Sequence, residues 1–516
     1  MHNRNLEALW NYHNTTKHSY QSVRTNAHYL DWANYPFPFK IYADLDPIPL
    51  PREWAGSDAD AFSVIASPGT TATEAVPDLK TLAALLFHSA GVTRHRSFPG
   101  GDLYFRAAAC TGALYEVELY LVCGRLRELG AGVYHFNPGD FALRKLRDGD
   151  YRSILATAAG NDESISSAPV TIVCTGIYWR NAWKYQARTY RHFFWDNGTM
   201  LANLLAMSAA LRIPSRIVMG FVDTEVNRLL DLDTNREVAI SLIALGPSST
   251  PLPEAPAKII PLALKTNAPS KQEIDYPLMR SIHAATSLES TEEAKAWQGR
   301  TPAARPAASG ERTFLLEPLP DEQLPHPNIE QVILRRGSTR QFARLPIRFD
   351  QLSTLLTRAT RGIPADFLGP AGSRLNDLYL IANAVEGLPS GAYFLHRDAW
   401  KLELLKEGDF REQAGRLGLE QQLPADASIA VFFLADLKSI LERFGNRGYR
   451  AAQIEAGILG GKLYLAAYAQ KLGATGLTFF DDEVTEFFSP HASGKSAIFL
   501  TAIGVSARNP LRQVSP

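Results

Sequence analysis

The sequence predicts a duplicated domain of helices and strands, on three observations. At 516 residues the chain is too long for one hydrophobic core. The order of helix, strand and hairpin patterns in the first half returns in the second. GVYHFNPGDFALRKLRDGD comes back as GAYFLHRDAWKLELLKEGD, and TYRHFFWDNGTMLANLL as GYRAAQIEAGILGGKLY. Gly132 and Gly391, Tyr190 and Tyr449, and Asp223 and Asp482 all stand 259 positions apart. Unchanged spacing through several element types indicates duplication, and two copies make a pseudo-symmetric pair rather than a solenoid. The third observation is a stretch rich in Pro, Ala and Ser between the copies, which reads as linker.

In order, residues 1–60 form an arm in which proline and aromatics alternate (YLDWANYPFPFKIY, DPIPLP). It reads as an extended segment lying over an apolar surface. The first copy, 61–246, opens with the helical pattern DLKTLAALLFHSAGV. A strand follows at Val117 to Cys123, then a hairpin turning at Asn137-Pro138-Gly139. APVTIVCTG is a buried strand, TYRHFFWDNGTMLANLLAMSAALRI a long apolar helix, and VAISLIALG the closing strand. The linker spans 247–327 and includes TPAARPAASG; the second copy spans 328–516. Gly457, Gly460 and Gly461 fall inside the repeated long helix, where close helix packing is expected.

Composition excludes several classes. Formal net charge is zero, which gives no sign of nucleic-acid or membrane-surface binding. No uncharged apolar run is long enough to span a bilayer, and the start MHNRNLEALWNYHNTTKHS is too polar for a signal peptide. Cys110, Cys123 and Cys174 form no C-x-x-C pair, which fits a reducing cytoplasm. The histidines are scattered without an H-E-x-x-H motif, so no metal site is expected.

RRGSTRQF, from Arg335 to Phe342, is the most informative stretch. It closes the helical run NIEQVILRR and gathers three arginines around Gly337 and two hydroxyls. Such a segment can hold a phosphate, because guanidinium forks pair with its oxygens while Ser and backbone N–H groups fill the gaps. A basic helix end capped by Gly337 is the plainer alternative.

RAAACTGALYEVELYLV, GVYHFNP, Trp183-Lys184-Tyr185, YRHFFWDNGTMLANLL and VMGFVD together resemble the SagB/ThcOx branch of the nitroreductase family, and RRGSTRQF resembles the phosphate-binding segment of nitroreductases generally. The resemblance covers about residues 60–246 and 328–508. It implies an α+β fold of two tandem nitroreductase-like domains, each a central mixed β-sheet flanked by helices, joined as an intramolecular pseudo-dimer. It also implies an FMN-dependent oxidoreductase whose flavin is clasped between the copies.

By that resemblance each site takes its phosphate segment from one copy and a small loop from the other. The second copy keeps the segment: Arg335, Arg336, Gly337, Ser338 and Arg340. The first copy has SVIASPGTTATEA there, without arginine. The loop pattern R-x-x-P-S-x-G survives in the first copy as Arg106, Ala109, Cys110, Thr111 and Gly112. The second copy has only Leu368-Gly369-Pro370-Ala371-Gly372. One composite site and one FMN are therefore expected. The Lys-Tyr pair of the branch matches Lys184 and Tyr185, with Arg443-Phe444 at the equivalent place in the second copy. Gly476, Thr478 and Phe479 match the turn near the flavin ring, although Met219-Gly220-Phe221 of the first copy lies closer to pattern. Arg508 adds charge near the phosphate. The implied reaction is dehydrogenation of a heterocycle or modified peptide. The alternatives are an NAD(P)H-dependent nitro- or quinone reductase and a flavin-holding scaffold of a peptide-modifying complex.

Overall fold

The computed structural model describes residues 2–98, 101–256, 258–300, 312–369 and 374–507. Its first sheet contains β1 (Pro47–Pro49), β2 (Val117–Cys123), β3 (Gly132–Asn137), β4 (Ala142–Asp148), β5 (Val170–Ile177), β6 (Ser215–Val218) and β7 (Glu237–Leu245), in the order β1-β4-β3-β2-β5-β7-β6. The second contains β8 (Thr313–Leu315), β9 (Asn376–Ala382), β10 (Gly391–His396), β11 (Lys401–Glu407), β12 (Ile429–Ala435), β13 (Gly473–Leu477) and β14 (Ser496–Gly504), in the corresponding order. β2, β5, β9 and β12 are buried along their whole length, as continuous apolar runs demand. Every pairing within the two sheets is antiparallel. A parallel partner for this core comes from across the copies, where Ile217 of β6 meets Ala365.

The arm is not simply extended. It contains α1 (Leu6–Thr15), capped by Asn5 and burying Leu9, Tyr12 and His13. Beside Leu9 the buried face carries Tyr12, bonded to the Ala187 carbonyl, and His13, bonded to the Tyr449 hydroxyl, so one leucine alone does not mark an apolar stripe. α2 (Leu79–Ala90) follows, then α3 (Tyr178–Tyr185), the long α4 (Thr189–Ala210) and α5 (Asp223–Leu229). The stretch expected as linker also departs from expectation. It folds into α6 (Pro277–Ala285) and α7 (Thr291–Gln298), which bury Met279, Ile282 and Trp297, and it supplies the edge strand β8. TPAARPAASG lies outside the described residues. The second copy continues with α8 (Ile329–Arg335), α9 (Leu437–Phe444), α10 (Arg447–Ala469) and α11 (Asp481–Phe488).

The copies join along α4 and α10. A Cβ on Gly457 would fall 2.5 Å from the Trp195 carbonyl oxygen, and one on Gly198 would fall 2.6 Å from Ile458 N. Side chains are excluded there because the helix backbones touch. Two pseudo-symmetric ion clusters flank this seam. Arg447 and Arg450 hold Asp223 at 2.7 Å each, while Arg188 and Arg191 hold Asp481 at 3.0 and 2.6 Å. The partner of Asp223 is thus Asp481, at a spacing of 258, not Asp482. Four residues separate α4 from β6 but three separate α10 from β13, which slips the register by one. Burial alone would raise Asp223, yet Arg447 and Arg450 bring it down to about 2.

Candidate active site

The arginine segment starts where α8 ends, and it docks onto the first copy. Arg336 is buried, with Nε donating to the Ala107 carbonyl at 3.0 Å and Nη2 to the Arg106 carbonyl at 3.1 Å. In return Arg94 Nη2 donates to the carbonyls of Leu334, Arg335 and Arg336. Arg335 Nε is buried without a partner, Ser338 Oγ lies 3.3 Å from the Tyr464 hydroxyl, and Arg340 is exposed. Gly337 is not in a left-handed conformation, so the plain glycine-cap alternative does not describe it. Arg508 lies outside the described residues, as do Pro370, Ala371 and Gly372.

The loop it meets differs from expectation in one respect. The Arg106 side chain is not free to meet a phosphate: Nη2 donates to the Pro38 carbonyl at 2.6 Å, and the guanidinium lies over Tyr115. Its contribution is structural, tying the arm to the loop. Ala109 offers its carbonyl to Thr199 Oγ1 at 2.6 Å. Thr111 donates from both its backbone N and its Oγ1 to Asp196, each at 2.8 Å. Cys110 Sγ stands 3.2 Å from Asp196 Oδ2 and 3.4 Å from Glu116 Oε2. Gly112 has φ +66, and a Cβ there would lie 3.1 Å from the Tyr185 hydroxyl.

Lys184 and Tyr185 close α3, with Lys184 Nζ 5.3 Å from the Tyr185 ring. The ammonium is lowered from its ordinary value by partial burial and by the charge of Arg340. The phenol is pushed up by burial, by Asp196, Cys110 and Glu116, against the opposing effect of Arg340. A residue of the second copy thus acts directly on this pair. The Gly476–Phe479 turn is less open than expected. Gly476 N already donates to the Tyr464 hydroxyl at 2.5 Å. Phe479 is a fully buried core residue against Trp195 and Arg188, not a contact on an open site. Gly476, Leu477 and Thr478 remain half-buried at the end of β13.

At the reciprocal position the chain fills the space itself. Pro364 and Asp366 flank the parallel bridge to β6, with Ile217 N donating to the Pro364 carbonyl and Asp366 N to the Ile217 carbonyl. The buried Asp366 carboxylate then accepts Met219 N at 2.9 Å and Gly220 N at 2.8 Å. Behind Gly220 stands α7: Gln298 Nε2 donates to the Gly220 carbonyl at 2.7 Å, and Trp297 Nε1 to the Phe444 carbonyl at 2.8 Å. Phe444 occupies the place that Tyr185 holds in the other copy. The turn that matched the pattern better is therefore the one capped by the protein's own carboxylate. Sequence reasoning missed Asp366, Trp297, Glu116 and Asp196. Their signal was present only as asymmetry between copies: Leu375 stands where the first copy has Glu116.

Two α+β copies with shared topology, joined backbone to backbone along α4 and α10, define a fused pseudo-dimer. In the second copy, residues 333–501 match the family model described as Nitroreductase family. The protein MJ1384 of Methanocaldococcus jannaschii, named for the nitroreductases, is 26% identical over 168 residues, covering 33% of this chain and 80% of that protein. The microcin B17-processing protein McbC of Escherichia coli is 28% identical over 129 residues, covering 24% of this chain and 47% of McbC. A crystal structure from Anabaena variabilis, of a protein likewise named for the nitroreductases, aligns with a TM-score of 0.75 at 26% identity. That likeness covers 96% of this chain and 99% of the other, so it runs through both copies. Among the described residues no helix is long and apolar enough to cross a membrane.

Proposed function

We propose that this nitroreductase-family oxidoreductase binds one FMN at the composite site and performs a SagB-type dehydrogenation of a heterocycle or modified peptide. The observation that carries it is the charge of Arg340, from the second copy, acting on Lys184 and Tyr185 of the first, on the side where Arg336 docks onto the Arg106 and Ala107 carbonyls. The donor set suits a phosphorylated flavin. Arg335 Nε is a buried donor without a protein acceptor, and Arg340 adds an exposed guanidinium five residues further along the same segment. Arg336 holds the cleft together, because its guanidinium binds carbonyls of the opposite loop.

Bound FMN supplies a hydride acceptor. The protein's own groups orient the substrate and manage its proton. Lys184, lowered by partial burial and by Arg340, is the base. Tyr185, raised by burial, stays a phenol and donates a hydrogen bond. The resemblance of part of the chain to McbC favours a peptide-derived substrate. The filled reciprocal cleft supports a single flavin. The deciding experiment is the FMN-to-chain ratio of purified protein, from its visible spectrum and released flavin. A ratio of one is expected. A ratio of two refutes the filled cleft, and no flavin after added FMN refutes the proposal.

A further inference from the structure

We propose that Glu116 and Asp196 hold one proton between them and form the proton-exchange group of the composite site, coupled to it through Tyr185. This rests on the flavin reading above. The pair lies under the Cys110–Gly112 loop in the first copy. Glu116 is fully buried and Asp196 is 7% exposed. A carboxylate oxygen of each and Cys110 Sγ all lie within 4.8 Å of one another, with Sγ 3.4 Å from Glu116 Oε2 and 3.2 Å from Asp196 Oδ2. Glu116 Oε1 is buried with no N–H or O–H donor from another residue. Two adjacent carboxylates in such a place cannot both remain charged.

Glu118, two residues further on, shows the opposite outcome. It is equally buried but is paired with Arg180 at 2.5 Å and His135 at 2.8 Å, and these partners hold it well below the ordinary range despite burial. The described ion pairs include none to Glu116 or Asp196. Burial and then the Asp196 charge push Glu116 well up, and burial raises Asp196. The thiol of Cys110 is pushed up as well, chiefly by burial and then by both carboxyls. It therefore remains a thiol and can donate to only one of them.

The second copy gives an internal comparison. Glu455 stands at the place of Asp196, but its Oε2 receives Leu375 N, Asn376 N and Asn376 Nδ2. Leu375 replaces Glu116, so a single carboxyl there caps backbone. Only the copy bearing Lys184 and Tyr185 has two. Tyr185 sits against the same loop, at Gly112. A cavity of about 20 Å³ bordered by Ala109, Cys110, Tyr115, Asp196 and Met200 has room for one water beside the pair. The other titratable or charged groups around it are Cys110, Tyr115, Arg106, Tyr35 from the arm, Tyr185 with His192 against its ring, and Arg340 from the second copy.

Oxidation of the substrate would release a proton alongside the electron pair that bound FMN would accept. Lys184 takes that proton and passes it to the Tyr185 oxygen as the phenol's own O–H proton moves by the Cys110–Gly112 loop to Asp196, whose Oδ1 already accepts the Thr111 hydroxyl, so that Tyr185 ends the step a phenol and Lys184 a free base again. The pair then carries two protons and returns one to solvent.

Infrared spectra at pH 7, with and without FMN, test the shared proton. The wild-type spectrum minus that of Glu116→Gln should contain one protonated-carboxyl C=O band that moves in D2O. In wild type alone, carbon-13 labelling of glutamate carboxyls should shift that band, which covers the case of a variant that fails to fold. In FMN-loaded Glu116→Gln, reduction of the flavin by substrate should slow by about 10²-fold or more and lose one limb of its pH profile, at unchanged FMN content. Absence of the band in the labelled wild type overturns the proposal. So does a pH profile shared by wild type and variant, or a stoichiometric metal on the purified protein. Failure of the flavin reading is distinguished by absence of bound FMN, whatever the infrared result.

Discussion

Replacing Asp366 by asparagine should change the pH dependence of stability in a direction fixed by the structure. The carboxyl is 3% exposed, and its partners are two backbone N–H groups of the first copy. Burial raises it from 3.8 to about 7, against the lowering effect of those N–H groups. The folded state therefore binds this proton more tightly than the unfolded state. Between pH 4 and 7 the folded protein keeps the proton and the unfolded chain has lost it, so stability falls as pH rises through that window. The full span is worth at most about 4 kcal/mol, from 1.36 kcal/mol per pH unit. The asparagine side chain would keep an acceptor for Met219 N and Gly220 N but would not ionise. Relative to wild type, Asp366→Asn should gain stability steadily from pH 4 to 8, and be the more stable protein at pH 8. Urea-unfolding free energies of both proteins at one-unit pH intervals measure the difference. A gap that stays constant, or that closes as pH rises, refutes the assignment of a titrating carboxyl at this position.

Lys184→Ala should retain FMN and lose about 10²-fold or more in turnover. Activity that survives with an unchanged pH profile removes the lysine from the reaction. Arg340→Ala should weaken FMN retention and raise the lysine's apparent pKa, because one neighbouring positive charge is gone; flavin titration and the pH profile read the two effects. Trp297→Ala should cost about 3–5 kcal/mol, as expected for emptying a buried aromatic site, and thermal melting would show it. Gly457→Ala places a methyl 2.5 Å from the Trp195 carbonyl oxygen and should cost about 1–3 kcal/mol or more; an unchanged melting temperature would mean that α4 and α10 do not touch there.

The fold was legible where apolar period and turn chemistry agreed. Val117 to Cys123 and the Asn137-Pro138-Gly139 turn stand where the pattern put them, because strands buried on both faces leave continuous apolar runs. The arm helix was not legible, since only Leu9 marks its inner face as apolar while Tyr12 and His13 make hydrogen bonds there. The linker misled for a related reason. Proline and alanine dominate its composition, yet a few buried residues such as Trp297 decide its placement. At the site, residue types identified the arginine segment but not which guanidinium is free. Arg336 and Arg106 bind carbonyls of other segments, and backbone acceptors leave no trace in sequence. Asp366 was equally hidden, because its partners are two amides of a segment 146 or 147 positions away.

These hidden contacts share a cause in the duplication itself. A symmetric homodimer encodes both of its clefts with one sequence, so any side chain that fills one cleft fills both. Fusion removes that constraint, and each residue here has followed its own cleft. On one side Arg336 and Arg94 exchange bonds with carbonyls of the opposite copy and leave Arg340 facing Lys184. On the other, Asp366 caps the amides of Met219 and Gly220, and Trp297 from the connecting segment bonds the Phe444 carbonyl. The second set of contacts satisfies buried N–H groups of the first copy and packs a buried indole beside them. The two sides are joined through the core, since α4 and α10 are buried along most of their length and meet backbone to backbone at Gly198 and Gly457.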